Sequence, residues 1–308
     1  MLTDKKILIT GISGMVPRPI AAFLAKNNEV WGIARFADTK VRAEIEGMGV
    51  TTRAIDLSKG ELSAIPEDFT HIMHCAHTRL GAGDFPEAIQ VNAVGAGRVL
   101  QHCRAAQAAI VVSSGAVYSP RNDEAYYSFK ERDDIGRGYA PWAPTSPISK
   151  ASLEAVARFC AEGFDLPTTI VRLNMVYGPL GGMPIMDMDA VVKGEQIMTF
   201  SDPYPANPIH ADDMCEQIEA LFDAASSPAT LVNWCGDDIV SRREWSERCG
   251  KLAEKPVYIN ALKIPDAPCG SVLHNEKRLS ITGPCKTKFW YGFDAIYQQR
   301  YGQQVKPC

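Results

Sequence analysis

Seven short apolar runs, at residues 6–10, 29–34, 51–55, 71–75, 109–113, 168–173 and 231–235, punctuate the chain, and mostly helical patterns fill the intervals. Strands that alternate with helices pair in parallel, because each helix carries the chain back to the same edge, and the helices then cover both faces of the sheet. The expected fold class is therefore α/β with a doubly wound parallel sheet. Segments 85–106 and 148–162 read as helices with Ala-rich, nearly uncharged faces that include Ala151, Ala155, Val156 and Phe159. Such faces either pack inside one chain or pair across a homodimer.

Composition removes several function classes. With 308 residues, 46% apolar and 22% charged, the chain is neither disordered, collagen-like nor a disulfide scaffold. No stretch of eighteen apolar residues exists, and the start, Met1 to Thr10, lacks the full pattern of a basic segment followed by an apolar run and a small-residue cleavage site, so no membrane association and a cytoplasmic location are expected. The net charge of −4, with acids and bases interspersed, offers no nucleic-acid surface. Nine cysteines in no zinc-like spacing read as reduced, mostly buried thiols.

Thr10-Gly11-Ile12-Ser13-Gly14 lies where the first strand gives way to the first helix. Backbone amides and the helix dipole can hold a pyrophosphate at such a turn, so the expected fold narrows to the Rossmann type. Gly11, Ser13, Gly14, Met15 and Val16 are the candidate cradle; a plain β–α turn is the alternative. Pro17 stands where a third small residue is expected, tolerable because the first helical turn has no use for its missing N–H. The second strand ends in Arg35 with no acidic residue for a ribose 2′-hydroxyl, which suits the 2′-phosphate of NADP. Beyond Gly178 the prolines thicken, from Pro179 and Pro184 to Pro203, Pro205 and Pro208. The expected organisation is an NADP-binding domain over 1–177, rejoined by about 207–237, and a smaller, mostly substrate-binding part over 178–308.

Further motifs follow in order: Asp56-Leu57, His74-Cys75-Ala76, Ser113-Ser114-Gly115-Ala116-Val117-Tyr118, Lys150, Arg172, Val176-Tyr177-Gly178-Pro179, Ile209-His210-Ala211-Asp212-Asp213 and Asn233-Trp234-Cys235-Gly236. Together they resemble the extended short-chain dehydrogenase/reductase family, also called NAD-dependent epimerase/dehydratases, over about residues 5–255. The resemblance implies that Asp56 and Leu57 lie by the adenine, that Cys75, Ala76 and His77 border the cofactor together with Leu173 and Val176, that Ser114 bonds the reacting oxygen, and that Lys150 holds the nicotinamide ribose. It also implies a small-molecule substrate and a homodimer.

The family carries a catalytic Tyr four residues before the Lys; here that position is Ser146. A phenol of pKa about 10 can protonate an alkoxide, whereas an aliphatic hydroxyl is a far weaker acid. Tyr139 is the candidate replacement. A literal Y-x-x-x-K at Tyr126 to Lys130 lacks an apolar helical face and reads as a chance match. Met175 replaces a family Asn and Ala206 a family Arg, which argues for a small or apolar substrate rather than a sugar diphosphate.

Other clusters carry less. His71, His74 and His77 recur every third residue, but a strand points His71 and His74 to opposite faces, against a metal site. Asp187, Asp189, Asp212 and Asp213 read as solvated or capping carboxylates, and Met183, Met186 and Met188 as packing or the lining of an apolar lid. Ser114, His210 and Asp212 lack the elbow of a nucleophile triad. Three functions compete: an NADP-dependent reductase of a small carbonyl or enone with relocated proton delivery, a non-redox isomerase, cyclase or lyase on the same scaffold, and a nucleotide-sensing binder.

Overall fold

The structure, a computed structural model, describes residues 2–81, 83–121, 123–136, 144–262 and 264–302. Its centre is a seven-stranded, wholly parallel sheet of β1 (Lys6–Thr10), β2 (Glu29–Ala34), β3 (Thr51–Ala54), β4 (His71–His74), β5 (Ala108–Ser114), β6 (Thr168–Leu173) and β7 (Thr230–Trp234), in the order β7-β6-β5-β4-β1-β2-β3. The chain runs outward from β1 to β3 and then returns to β1's other flank as β4. That reversal opens a crevice at the carboxyl ends of β1 and β4, the place where doubly wound sheets bind ligands.

Helices α1 (Pro17–Leu24), α2 (Thr39–Gly47), α3 (Phe85–Ile89), α4 (Gly95–His102) and α5 (Ser146–Gly163) belong to the first half of the chain. Helices α6 (Met183–Lys193), α7 (Ala211–Asp223), α8 (Arg242–Ala253), α9 (Glu276–Thr282) and α10 (Phe289–Tyr301) follow. On one face of the sheet Ile7, Ile9, Met73 and Ile110 share a core with Ile20 and Leu24 of α1 and Ile218, Leu221 and Phe222 of α7. On the other, Leu8, Ile72, Val111 and Ile170 meet Val99 and Leu100 of α4 and Leu153 and Ala157 of α5. Alternate strand residues supply the two cores because successive side chains point to opposite faces. A third core joins α6, α8 and α10 through Ile185, Met188, Trp245, Phe289 and Phe293. Ser241 and Glu244 close a capping box at the start of α8.

Three sequence expectations need correction. The single helix expected over 85–106 is α3, a π-helical turn at Gln90–Val94 and α4, ending at His102. Asn92 in the wide turn receives the Thr78 N–H and donates to Thr78 O and Ser149 Oγ, a clamp that fixes the loop after β4. Asp187 is not solvated: it is buried in a bidentate pair with Arg242 and accepts from the Trp245 indole. Asp213 is likewise buried, accepting from the backbone of Lys286 and Thr287. Of the two readings offered for the methionines, packing describes Met188, which α6 turns into the third core, and Met183, which packs against that core, while Met186 faces solvent.

Candidate active site

The expected residues converge on the carboxyl edge of the sheet. Gly11 follows β1, Arg35 follows β2, Cys75 to His77 follow β4, Ser114 ends β5, and Leu173 pairs in register with Ser114 from β6. Thr10 ties β1 to β4 at this edge. Its hydroxyl oxygen accepts the amides of Cys75 and Ala76, so its own proton goes to His74 Nδ1, 3.0 Å away. His74 is therefore a neutral ring with its proton on Nε2, and burial with the neighbouring Lys150 charge lowers its pKa to about 3.

Gly11 has φ +67°, and a Cβ there would stand 2.7 Å from Ala76 Cα. The turn thus needs glycine for both conformation and closeness. No side chain caps α1, whose first turn begins with Pro17. Its first amides therefore receive no side-chain cap, and a turn of this kind fits a pyrophosphate. Ser13 and Met15 are exposed, Val16 and Gly14 half-buried. Met15 also meets Val176 in a cavity of about 200 Å³ shared with Gly178, Leu180 and Asp212. Arg35 is exposed at the end of β2 and helps hold Asp56 below the usual carboxylate range, the larger cause being Asp56's hydrogen bonds from Ser58. Leu57 is buried under Gly95 of the α4 start.

Lys150, one turn into α5, buries its ammonium and donates to Val112 O at 2.6 Å. Burial lowers its pKa to about 8 against the pull of Cys75 and Glu154. The Cys75 thiol is pushed up to about 12, chiefly by burial. Ser114 Oγ accepts the Ala116 amide, which aims the hydroxyl along the edge. Beneath it, Ser113 donates to Glu154, and Glu154 grips Arg172 through two hydrogen bonds. Arg172 stacks on Tyr118, whose hydroxyl donates to Asn233. This buried chain fixes α5 against β5 and β6.

Ser146 opens α5, four residues before Lys150, and its Oγ lies 2.8 Å from His77 Nε2. Burial first, then Lys150, Arg79 and His74, lower the His77 pKa to about 2. Its Nδ1 is buried with no hydrogen-bond partner among the described residues. Tyr139 lies outside the described residues. Tyr126 is exposed and Lys130 is in a loop after the short strand Ser128–Phe129, so the literal Y-x-x-x-K does not lie on a helix.

Sequence reading missed Thr10, Asn92 and the side chain of His77. His77 was expected only beside a cofactor, and its partner is 69 residues away in the chain, beyond any local pattern. Among the described residues, no group of three or more His, Cys, Asp or Glu could hold a metal, and no helix is long and apolar enough to cross a membrane.

Known proteins agree with this architecture. The dTDP-glucose 4,6-dehydratase of Neisseria meningitidis serogroup B is 24% identical over 64% of this chain, which aligns with 61% of that protein's length. Protein CapI of Staphylococcus aureus is 26% identical over 76% of this chain and 73% of its own. Among solved structures, the UDP-glucuronic acid 4-epimerase of Bacillus cereus, in complex with NAD, superposes with a TM-score of 0.79 at 19% identity, covering 96% of this chain and 98% of that one. The UDP-N-acetylglucosamine 4-epimerase of Methanobrevibacter ruminantium gives 0.81 at 18% identity, covering 98% and 100%. These low identities speak to fold. The family model for NAD dependent epimerase/dehydratase proteins matches residues 7–233, and the chain belongs to that family.

Proposed function

We propose that the protein is an NADP(H)-dependent oxidoreductase that reduces a small or apolar carbonyl or enone, with proton delivery by a group other than a helix tyrosine. The buried ammonium of Lys150 carries this reading. A cation buried at the carboxyl edge of the sheet, with its pKa depressed, costs stability, and groups shifted in this way cluster at functional sites, which supports the reading. In this reading Gly11, Ser13, Gly14, Met15 and Val16 hold the pyrophosphate, Arg35 the 2′-phosphate, and Asp56 and Leu57 border the adenine. Cys75, Ala76, Leu173 and Val176 line the nicotinamide side, Lys150 binds its ribose, and Ser114 orients the substrate oxygen. A reduced dinucleotide bound there supplies hydride to the carbonyl carbon. Met175 is half-buried and Ala206 wholly buried, so neither position offers a charge to a diphosphate.

Residues 1–177 with 207–237 are proposed as the cofactor domain and the rest of 178–308 as mostly substrate-binding. A homodimer through α5 is part of the same proposal: Ile148, Ala155 and Phe159 lie along one exposed face, with Phe159 69% exposed. Phe159→Glu should convert dimer to monomer in sedimentation analysis. A second reading, a lyase or isomerase with no net redox change, is favoured by the serine at position 146 and by the names of the relatives. Titrating NADPH and NADH by nicotinamide fluorescence, with wild type and Arg35→Asp, tests the cofactor. A carbonyl panel with 4-deuterated NADPH separates the two chemistries: label in product supports reduction, and turnover that leaves NADPH intact supports the second reading.

A further inference from the structure

We infer that Ser146 and His77 form a proton relay that delivers a solvent proton to the substrate oxygen. This rests on the reductase reading of the same site. The relay stands on three observations: the 2.8 Å contact of Ser146 Oγ with His77 Nε2, the position of Ser146 one helical turn before Lys150, and a buried Nδ1 on the far side of the ring that no described group satisfies.

The proton transfers balance without a strong acid. As hydride reaches the carbonyl carbon, the π pair moves to oxygen and takes the Ser146 hydroxyl proton. The Nε2–H bond of His77 breaks as the Oγ–H bond re-forms. Nδ1 takes a proton from a water molecule lodged against it, the partner that this buried acceptor otherwise lacks among the described residues, and exchange with buffer neutralises the hydroxide. The ring begins and ends neutral, as opposite tautomers. A neutral imidazole carries one donating and one accepting nitrogen, so it can pass a proton from one side to the other without holding a charge, whereas a protonated ring would act as a direct acid rather than as a relay of solvent protons. Lys150, Arg79 and His74 face the ring, and together with burial they keep it neutral. The side chain of Ser146 is too short to place a strong acid at the substrate itself, but it is long enough to reach the imidazole. His77 is thus a positioning and relay residue, and Ser146 is the group that meets the substrate.

The test uses the full chain labelled with ¹⁵N-histidine and saturated with NADP⁺. The His77 ring should stay neutral from about pH 5 to about pH 9 and carry its proton on Nε2, and Ser146→Ala should shift the tautomer balance toward Nδ1. In parallel, Ser146→Ala and His77→Gln should each lower kcat for NADPH-dependent reduction of 4-nitrobenzaldehyde about 100-fold, with the double variant no worse than either. NADPH affinity, read by fluorescence, should hold in Ser146→Ala. Ser146→Tyr combined with His77→Ala should restore turnover and make the proton inventory linear, because a phenol delivers a single proton. Ring protonation near pH 6.5, or tautomers indifferent to Ser146→Ala, overturns the relay even if NADPH is consumed. A correct ring signature without NADPH consumption on any carbonyl overturns the reductase reading and upholds the relay for chemistry without net redox.

Discussion

Replacing Lys150 with methionine should make the protein more stable at neutral pH while weakening dinucleotide binding. The ammonium has a pKa of about 8 in the fold against 10.5 in water. At 1.36 kcal/mol per unit, burying its charged form costs about 3 kcal/mol. Methionine fills a similar volume without charge, but leaves Val112 O without its donor, a loss of about 1 kcal/mol. The net expectation at pH 7 is a gain of about 2 kcal/mol. Above pH 8 the folded wild type releases the proton while the unfolded chain keeps it up to pH 10.5, so wild-type stability rises with pH across that window. The variant's advantage should shrink by about 1.4 kcal/mol per pH unit and end near zero or slightly reversed by pH 10. Urea unfolding of both proteins without dinucleotide at pH 7, 8, 9 and 10 reads this difference directly. A gap that does not move with pH, or a variant less stable at pH 7, refutes the claim that Lys150 sits at an energetic cost.

Three more expectations follow from the same geometry. Gly11→Ala should destabilise by about 2 kcal/mol or more in chemical denaturation, since φ is left-handed and Cβ meets the Ala76 backbone; a loss under about 0.5 kcal/mol contradicts the close approach. Acid should weaken the fold below pH 6.5, because the unfolded chain binds protons that His74 and His77 refuse until about pH 3 and about pH 2. Between pH 6.5 and 5, His77→Gln should therefore lose about 1–2 kcal/mol less than wild type, and equal losses would mean the ring is solvated. Glu154→Gln should cost about 3 kcal/mol by leaving Arg172 buried without its counter-charge, with a smaller penalty when Arg172→Met is added, both read as unfolding midpoints.

The sheet was legible because strand and helix patterning is a local property of the chain. The seven apolar runs became the seven strands with shifts of a residue at most at either end, as in Thr51–Ala54 and Thr230–Trp234. The Gly11 turn was readable for the same reason: its left-handed backbone is a demand that one residue type meets. What periodicity concealed was the π turn around Asn92, whose cause is a clamp onto Thr78 and Ser149 far along the chain. Asp187 was misread because charge alone suggests solvent, while Arg242, 55 residues later, lets the carboxylate be buried.

Sequence by itself determined the parallel α/β class, the glycine turn, the lysine on α5 and the serine one turn before it. Only tertiary structure decided that Ser146 meets His77, that Thr10 fixes the tautomer of His74, and that Lys150 is buried. Helical and strand patterns record which face of an element is apolar. Hydrogen-bond partners and pKa values arise from groups that the fold brings together across 64 to 69 residues of chain, and those pairings exist only once the crevice beside β1 and β4 has formed.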